Sequence, residues 1–325
     1  MSMPVTLRRP PGTQETGSTE SARRDRRPWR RALRRDWQLY TLAILPVLFF
    51  LIFRYVPMFG VVIAFRRFEP GGSIFGEHWV GWHYVQLFLS DPTFWSVFIN
   101  TLALGALTVV VLFPLPIVLA LLLNEVSNGL LKRLVQSISY LPHFLSIVVV
   151  AAIIMQFLSV DGAMNQVLRT FSRQPIPFLQ QPEWFRQIYV GSEVWQTLGW
   201  GTILYLAALT TIDPNLYEAA RIDGAGRLRQ TWHVTLPSIR PTIMTLLILN
   251  IGTFTAVGFE KILLIYNPLT YPTGDVITTY LYRMGVVSNN FSYAAAIGLF
   301  EGVIGLILIT AANLISRRTV GASLW

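Results

Sequence analysis

One largely polar segment lies between two long apolar stretches and reads Thr211-Ile-Asp-Pro-Asn-Leu-Tyr-Glu-Ala-Ala-Arg-Ile-Asp-Gly-Ala-Gly-Arg-Leu-Arg-Gln-Thr-Trp-His-Val-Thr-Leu-Pro237. Asp213 is a favourable N-cap and Pro214 suits the first helical position, so residues 214–223 are predicted to form a short helix. Gly224 is the expected stop, because glycine accepts the positive φ that other residues resist. A second short helix is expected over residues 227–236, interrupted by the proline that follows. The segment therefore predicts a helix-turn-helix between two membrane spans.

The composition around this segment is that of a membrane protein. Of the 325 residues, 53% are hydrophobic and 13% charged, with a mean hydropathy of +0.49. Soluble domains carry about 25% charged residues, and disorder requires low hydrophobicity, so both classes are excluded. Six apolar stretches are long enough to cross a bilayer as helices. They cover residues 39–63, 96–123, 136–158, 189–210, 241–262 and 291–315. We therefore predict an all-α polytopic membrane protein with six transmembrane helices.

Basic residues predict the orientation of these helices. More than two thirds of the 26 Lys and Arg residues fall in segments that are cytoplasmic if both termini are cytoplasmic. Residues 1–38 are rich in Arg, Pro, Ser and Thr without apolar periodicity, which predicts a disordered basic cytoplasmic tail. Residues 39–325 then form the six-span domain. Membrane lipid, and not nucleic acid, is the expected partner of so apolar a chain.

Signs of catalysis are missing from the sequence. Neither Lys132 nor Lys261 follows a glycine, which excludes a Gly-Lys-Ser/Thr phosphate loop. The four histidines are scattered without a His-Glu-x-x-His pair, and the chain has no cysteine, which removes thiolate metal sites and thiol nucleophiles. No catalytic residue, metal ligand or cofactor is therefore predicted in this chain, and an intramembrane enzyme is disfavoured.

The polar segment resembles the EAA loop of permease subunits of ABC importers. That signature is Glu-Ala-Ala, three residues, Gly, nine residues, a branched aliphatic residue, one residue, and Leu-Pro. Its positions are occupied here by Glu218, Ala219, Ala220, Gly224, Val234, Leu236 and Pro237. Tyr217 and Asp223 also look like the carbohydrate branch of the family. Residues 124–126, 139–144 and 266–268 are similar to LplB-like oligosaccharide permeases, so the resemblance covers nearly the whole chain after residue 39.

The resemblance implies an architecture and a set of partners. It implies the type I ABC importer permease fold in a bacterial-type plasma (inner) membrane, with both ends cytoplasmic. A second permease subunit, in most of the family a different chain, completes the pathway. Separate ABC ATPase subunits bind ATP and Mg, and an extracytoplasmic solute-binding protein delivers a sugar or oligosaccharide. The coupling loop, residues 211–240, would sit in a groove of the ATPase.

Polar residues within the spans are candidates for the substrate pathway, because such residues normally face a cavity or a partner. Glu193, Gln196, Thr197 and Trp200 follow one another at helical steps in the fourth stretch. Asn250, Thr253 and Phe254 do so in the fifth stretch, with Glu260 further along. The resemblance implies that both spans line the pathway. Packing between helices is the alternative. Glu301 is expected to pair with Arg283 or with the partner permease.

Two other functions remain open on the sequence. The same architecture can carry an amino acid, a peptide or an osmolyte instead of a sugar. A secondary transporter driven by an ion gradient would work without an ATPase and usually shows internal repeats with interrupted spans. No repeat is evident here. The identity, linkage and length of the sugar cannot be predicted, nor whether this subunit itself contacts it.

Overall fold

The computed structural model describes residues 37–252 and 258–320. Within these residues the chain is mostly helical, which confirms the all-α prediction. The one strand pairing in the described part joins β1 (Arg66–Arg67) to β2 (His78–Trp79) in antiparallel register. Nearly all of the predicted basic tail lies outside the described residues. Thr253 and Phe254 also lie outside them.

The α-helices are short or long according to where prolines and capping residues fall. In chain order they are α1 (Trp37–Phe50), α2 (His83–Ser90), α3 (Pro92–Leu112), α4 (Pro114–Glu125), α5 (Gly129–Tyr140), α6 (Ile147–Leu158), α7 (Ala163–Thr170), α8 (Pro182–Thr210), α9 (Pro214–Ile222), α10 (Arg227–Gln230), α11 (Leu236–Gly252), α12 (Phe259–Ile265), α13 (Tyr271–Gly274), α14 (Ile277–Tyr282) and α15 (Phe291–Val320).

The chain divides after Met58 into two compact units. The first described unit is α1, continued by a π-helical turn (Leu51–Tyr55) and one more turn (Val56–Met58). All of its described residues are exposed. A helix that is apolar on every side requires lipid or another apolar surface around it.

The second unit contains three apolar clusters that hold its helices together. One cluster joins α2, α3, α14 and α15 around Phe88, Phe94 and Ile297. A second joins α3, α6, α8 and α12 around Leu104 and Tyr189. The third joins α4, α8 and α11, and its buried residues are Ala120, Tyr205, Leu209 and Ile239. Both α3 and α8 contribute to two clusters, so these two helices link the three clusters to one another.

Among residues 37–252 and 258–320, five helical segments are long and apolar enough to cross a membrane. They are Trp37–Phe65, Pro92–Glu125, Ile147–Thr170, Arg227–Ile251 and Phe291–Leu314. Each overlaps one of the six predicted stretches. The remaining prediction, residues 189–210, lies inside α8, which has 29 residues and would measure about 43 Å. That helix is long enough to span, but Glu193, Gln196 and Thr197 lower its mean hydropathy.

Four predicted stretches are not single α-helices. Residues 39–63 extend from α1 into the π-helical turn and beyond, and residues 96–123 comprise parts of α3 and α4. Residues 136–158 are divided by a 3₁₀ turn (Leu141–Phe144), after which Ser146 caps the start of α6 through a 3.3 Å bond from Val149 N–H to its Oγ. Residues 241–262 are not one helix, because Gly258 is not helical, with φ +20°, and α12 begins after it at Phe259. Lys261 belongs to α12.

Candidate functional site

The coupling loop begins with the predicted cap and turn. Asp213 Oδ1 accepts a 2.9 Å hydrogen bond from Asn215 N–H, and Pro214 occupies the first position of α9. The helix ends at Ile222, and Gly224 follows with φ +74°. Both the helix and the positive φ at this glycine are confirmed. A Cβ at Gly224 would meet no atom within 4 Å, so the constraint on this position is the backbone conformation and not space.

The second half of the loop differs from the prediction. A helix does start at Arg227, but it runs through a π-helical turn (Thr231–Thr235) directly into α11. The expectation that Pro237 interrupts it is wrong. The missing N–H of this proline is accommodated next to the π-helical turn, where the regular hydrogen-bond pattern is already shifted. The second half of the loop, from Arg227 onward, and the following span are therefore one continuous helix.

Polar bonds fix the loop to its surroundings. The hydroxyls of Tyr217 and Thr235 share a hydrogen bond of 3.1 Å, which joins α9 to the π-helical turn. Gln230 Nε2 donates to Ala225 O at 2.7 Å and closes the turn between α9 and α10. Arg227 lies 3.6 Å from Glu125, the last residue of α4. These contacts hold α9 against the start of the continuous helix that leads into α11.

The loop presents both charge and apolar surface. Glu218 is exposed and has no hydrogen-bond or ion-pair partner among the described residues, while Ala219, Asp223 and Pro237 are exposed and Tyr217, Ala220 and Leu236 are partly buried. Leu216 and Ile222 are exposed apolar residues of α9, and Ile222 is 87% exposed. Leu228 and Trp232, which the sequence did not single out, are exposed as well. Their spacing of four residues, on one helical face, is the signal that could have identified them.

Glu193 is half-buried and paired with a cation that the sequence did not suggest. Its Oε1 lies 2.5 Å from Lys261 Nζ on α12, and the Lys261 side chain is fully buried. No additional hydrogen-bond acceptor lies near this ammonium in the described ranges. A buried charge needs a partner, so the pair joins α12 to α8. The clue in the sequence was a single lysine followed by four apolar residues.

Trp200 of α8 forms a stacked pair of rings with a residue of a separate 3₁₀ turn. It is 46% exposed, and its indole stacks on His143 with ring centroids 4.4 Å apart and planes 6° apart. Phe144 meets the indole edge-on. His143 and Phe144 belong to the 3₁₀ turn that divides the third predicted span. Their arrangement leaves an aromatic surface on which a flat apolar face can rest.

The other candidate pathway residues are placed less favourably for binding. Gln196 is buried, and Thr197 Oγ1 donates to Glu193 O at 2.7 Å within α8. Asn250 is exposed on α11 and donates to Leu246 O at 2.8 Å. Glu260 is exposed beside Lys261. The structure thus groups four candidates on α8 and places Asn250 on α11 and Glu260 on α12.

Glu301 forms no ion pair with Arg283 in the described part of the chain, so that alternative is wrong, whereas its pairing with the partner permease stays a prediction. Arg283 instead binds Asp275, with Nη2 and Oδ2 2.5 Å apart. Burial by itself would lower the pKa of Arg283, but the hydrogen bonds and charge of Asp275 raise it above the ordinary range. No cluster of three or more His, Asp or Glu side chains suited to a metal ion occurs among residues 37–252 and 258–320.

Comparison with known proteins agrees with these features. Residues 112–321 match the family described as "Binding-protein-dependent transport system inner membrane component". Protein LplB of Bacillus subtilis (strain 168) is 46% identical over 291 residues, which are 89% of this chain and 92% of that protein. The polygalacturonan/rhamnogalacturonan transport system permease protein YteP of the same organism is 45% identical over 282 residues, 86% of this chain and 88% of that one.

A solved structure shares the fold as well. It is the crystal structure of a bacterial ABC transporter involved in the import of the acidic polysaccharide alginate. One chain of it superposes with a TM-score of 0.84 and 41% identity, over 90% of this chain and 99% of that chain. At this level of similarity the fold is that of a type I ABC transporter permease.

Proposed function

The chain belongs to the family of binding-protein-dependent transport system inner membrane components, and on this premise we propose that it is a permease subunit of an ATP-driven importer. Its solute would be an oligosaccharide, moved into the cytoplasm. Two of the relatives reported above are named for the transport of polygalacturonan/rhamnogalacturonan or of alginate, which are polysaccharides. This favours a sugar over an amino acid, a peptide or an osmolyte.

The geometry of the coupling loop carries the proposal. A capped helix of nine residues ends in a left-handed glycine and continues into a helix that is long and apolar enough to span the membrane. Exposed apolar residues on this loop need a protein surface to cover them. An ATPase that moved α9 would move α11 with it, because bonds from Tyr217 and Gln230 hold the two together. Glu218 and Asp223 would anchor the loop to that ATPase by charge.

We propose six transmembrane helices with both ends cytoplasmic. The sixth is α8, whose polar residues are explained if they face a pathway and not lipid. Residues 1–38 would be a basic cytoplasmic tail that fixes orientation, and residues 39–325 the permease domain with the coupling loop at 211–240. The uneven distribution of Lys and Arg supports this orientation.

The proposed partners supply what this chain lacks. ABC ATPase subunits would bind ATP and Mg, a second and different permease would complete the pathway, and an extracytoplasmic binding protein would deliver the solute. On the pathway, Trp200 offers a stacking surface for a sugar ring, and Gln196, Thr197, Asn250 and Glu260 offer hydrogen bonds. We assign Glu193 to the wall of the pathway, held there by Lys261. Thr253 and Phe254 remain candidates by their position in the sequence.

Gentle extraction of the tagged chain from its native membrane tests the proposal. The expected result is co-purification with an ATPase that has a phosphate loop, a second six-span protein and a soluble receptor. Recovery of the chain alone, from membranes that still transport when ATP is absent, would contradict it.

A further inference from the structure

A cavity of about 480 Å³ lies at the start of α8. Leu107 and Val111 of α3 form an apolar wall. The other side is polar and is formed by Glu183, Arg186, Gln187 and Thr273. None of these four residues belongs to the candidate pathway positions discussed above.

A hydrogen bond holds Arg186 in place, but the hydrogen-bond donors of its guanidinium are not all paired. Its Nη2 donates a 2.9 Å hydrogen bond to Asn100 Oδ1. Asn100 is itself 3% exposed and donates from Nδ2 to the carbonyls of Pro272 and Asp275 at 3.1 and 3.2 Å. The Arg186 Nε is buried, and no acceptor for it exists in the described part of the chain. A guanidinium has five donors, and the described residues give this one a single hydrogen bond, so an acceptor from a ligand in the cavity would be stabilising.

The chemistry of the cavity selects a carboxylate next to hydroxyl groups. A guanidinium fork matches a carboxylate in shape and charge. Glu183 is three residues from Arg186 on the same helix, yet the two form no ion pair within the described residues, so the positive charge is not neutralised. Glu183 and Gln187 are exposed and can bond to sugar hydroxyls. Thr273 Oγ1 donates to Pro182 O at 2.6 Å, which leaves its oxygen free to accept a hydrogen bond.

The cavity residue Arg186 lies on the same face of α8 as two of the pathway residues. Arg186 precedes Glu193 by seven residues and Trp200 by fourteen, which places all three on one face of α8 over about 21 Å. We propose that the Arg186 cavity is an entry subsite that binds the carboxylate of an acidic, uronate-bearing oligosaccharide before the sugar reaches Trp200. This inference rests on the proposed import function.

Transport by the full importer, assembled with its ATPase, second permease and native receptor in vesicles, tests the subsite. The probes are an oligogalacturonate and an oligoalginate, each compared with its own fully methyl-esterified, neutral form. The Arg186→Gln variant keeps a donor for Asn100 but removes the charge, and Arg186→Lys keeps the charge but not the fork. Arg169→Gln is the matched control, because Arg169 makes an exposed ion pair with Asp161 outside the cavity.

We expect the intact importer to transport at least one acidic probe. Uptake of that probe should fall about tenfold or more in Arg186→Gln and less in Arg186→Lys, as for the loss of a charge-assisted hydrogen bond. Uptake of the ester and the behaviour of Arg169→Gln should not change. Equal loss for acid and ester, no loss for either, or transport of neither acidic probe by the intact importer would each overturn the subsite. Co-purification of the ATPase and receptor is measured separately, so such a failure is distinguishable from failure of the import function.

Discussion

Removal of the charge on Glu193 should destabilise the protein far more than removal of an exposed charge. The Glu193→Gln substitution leaves Lys261 charged and fully buried without an anion. With the two groups 2.5 Å apart, their charge centres lie within about 4 Å, where attraction at an effective dielectric constant of 20 is about 4 kcal/mol. Breaking a buried pair from one side typically costs about 3–5 kcal/mol, so both routes give the same magnitude. We therefore expect the free energy of unfolding to fall by about 3 kcal/mol or more.

The double variant Glu193→Gln/Lys261→Met separates this account from a general loss of packing. It removes both charges and should recover most of the lost stability, because an apolar replacement of a buried ion pair is often neutral. Reversible unfolding in mixed micelles by a denaturing detergent measures both. The control is Asp161→Asn, which breaks the exposed Arg169–Asp161 pair and should cost less than about 1 kcal/mol. A Glu193→Gln variant as stable as that control would refute the reasoning.

Three further substitutions test the loop, the aromatic surface and the packing of α8. Gly224→Val should leave ATP hydrolysis by the assembled importer in place and uncouple it from uptake, because the left-handed conformation costs a side chain about 1–2 kcal/mol. The control, Gly226→Val, changes a glycine that has a negative φ and open space around it, so this variant should transport normally. Equal behaviour of the two variants would contradict the role of the turn. Trp200→Ala should weaken apparent sugar affinity about three- to tenfold in uptake assays, the range of an aromatic contact, whereas Trp195→Ala, equally exposed but lining a separate apolar cavity, should not. Gly199→Val should lower unfolding stability by about 1–3 kcal/mol, because its Cβ would collide with the backbone of Ser139 on α5, and an unchanged unfolding midpoint would mean that this contact does not hold α5 to α8.

Rules for helix caps and glycine conformation were sufficient to predict the structure of the coupling loop as far as the turn at Gly224. The cap at Asp213, the helix over Pro214–Ile222 and the positive φ of Gly224 depend on neighbours in the sequence, so they could be predicted from it. The continuation past Pro237 could not, because a π-helical turn absorbs the missing donor and no local rule anticipates that turn.

Contacts between distant segments could not be predicted. The sequence indicated no partner for Lys261, and only the fold shows that it is buried against Glu193. The stack of His143 on Trp200 joins residues 57 positions apart, which no periodicity indicates. The hydrogen bond between Asn100 and Arg186 likewise joins residues that are distant in the sequence. Helical periodicity predicted which residues share a face of α8, but not what each of them faces.

The dependence of uptake on ATP tests the central claim most directly. The assembled importer in sealed vesicles, supplied with its receptor and an oligosaccharide, would be assayed with ATP on the side of the coupling loop and with ionophores that collapse ion gradients. Our account predicts uptake that requires ATP hydrolysis and is insensitive to the ionophores. Uptake that proceeds without ATP and stops when the ion gradient collapses would contradict it.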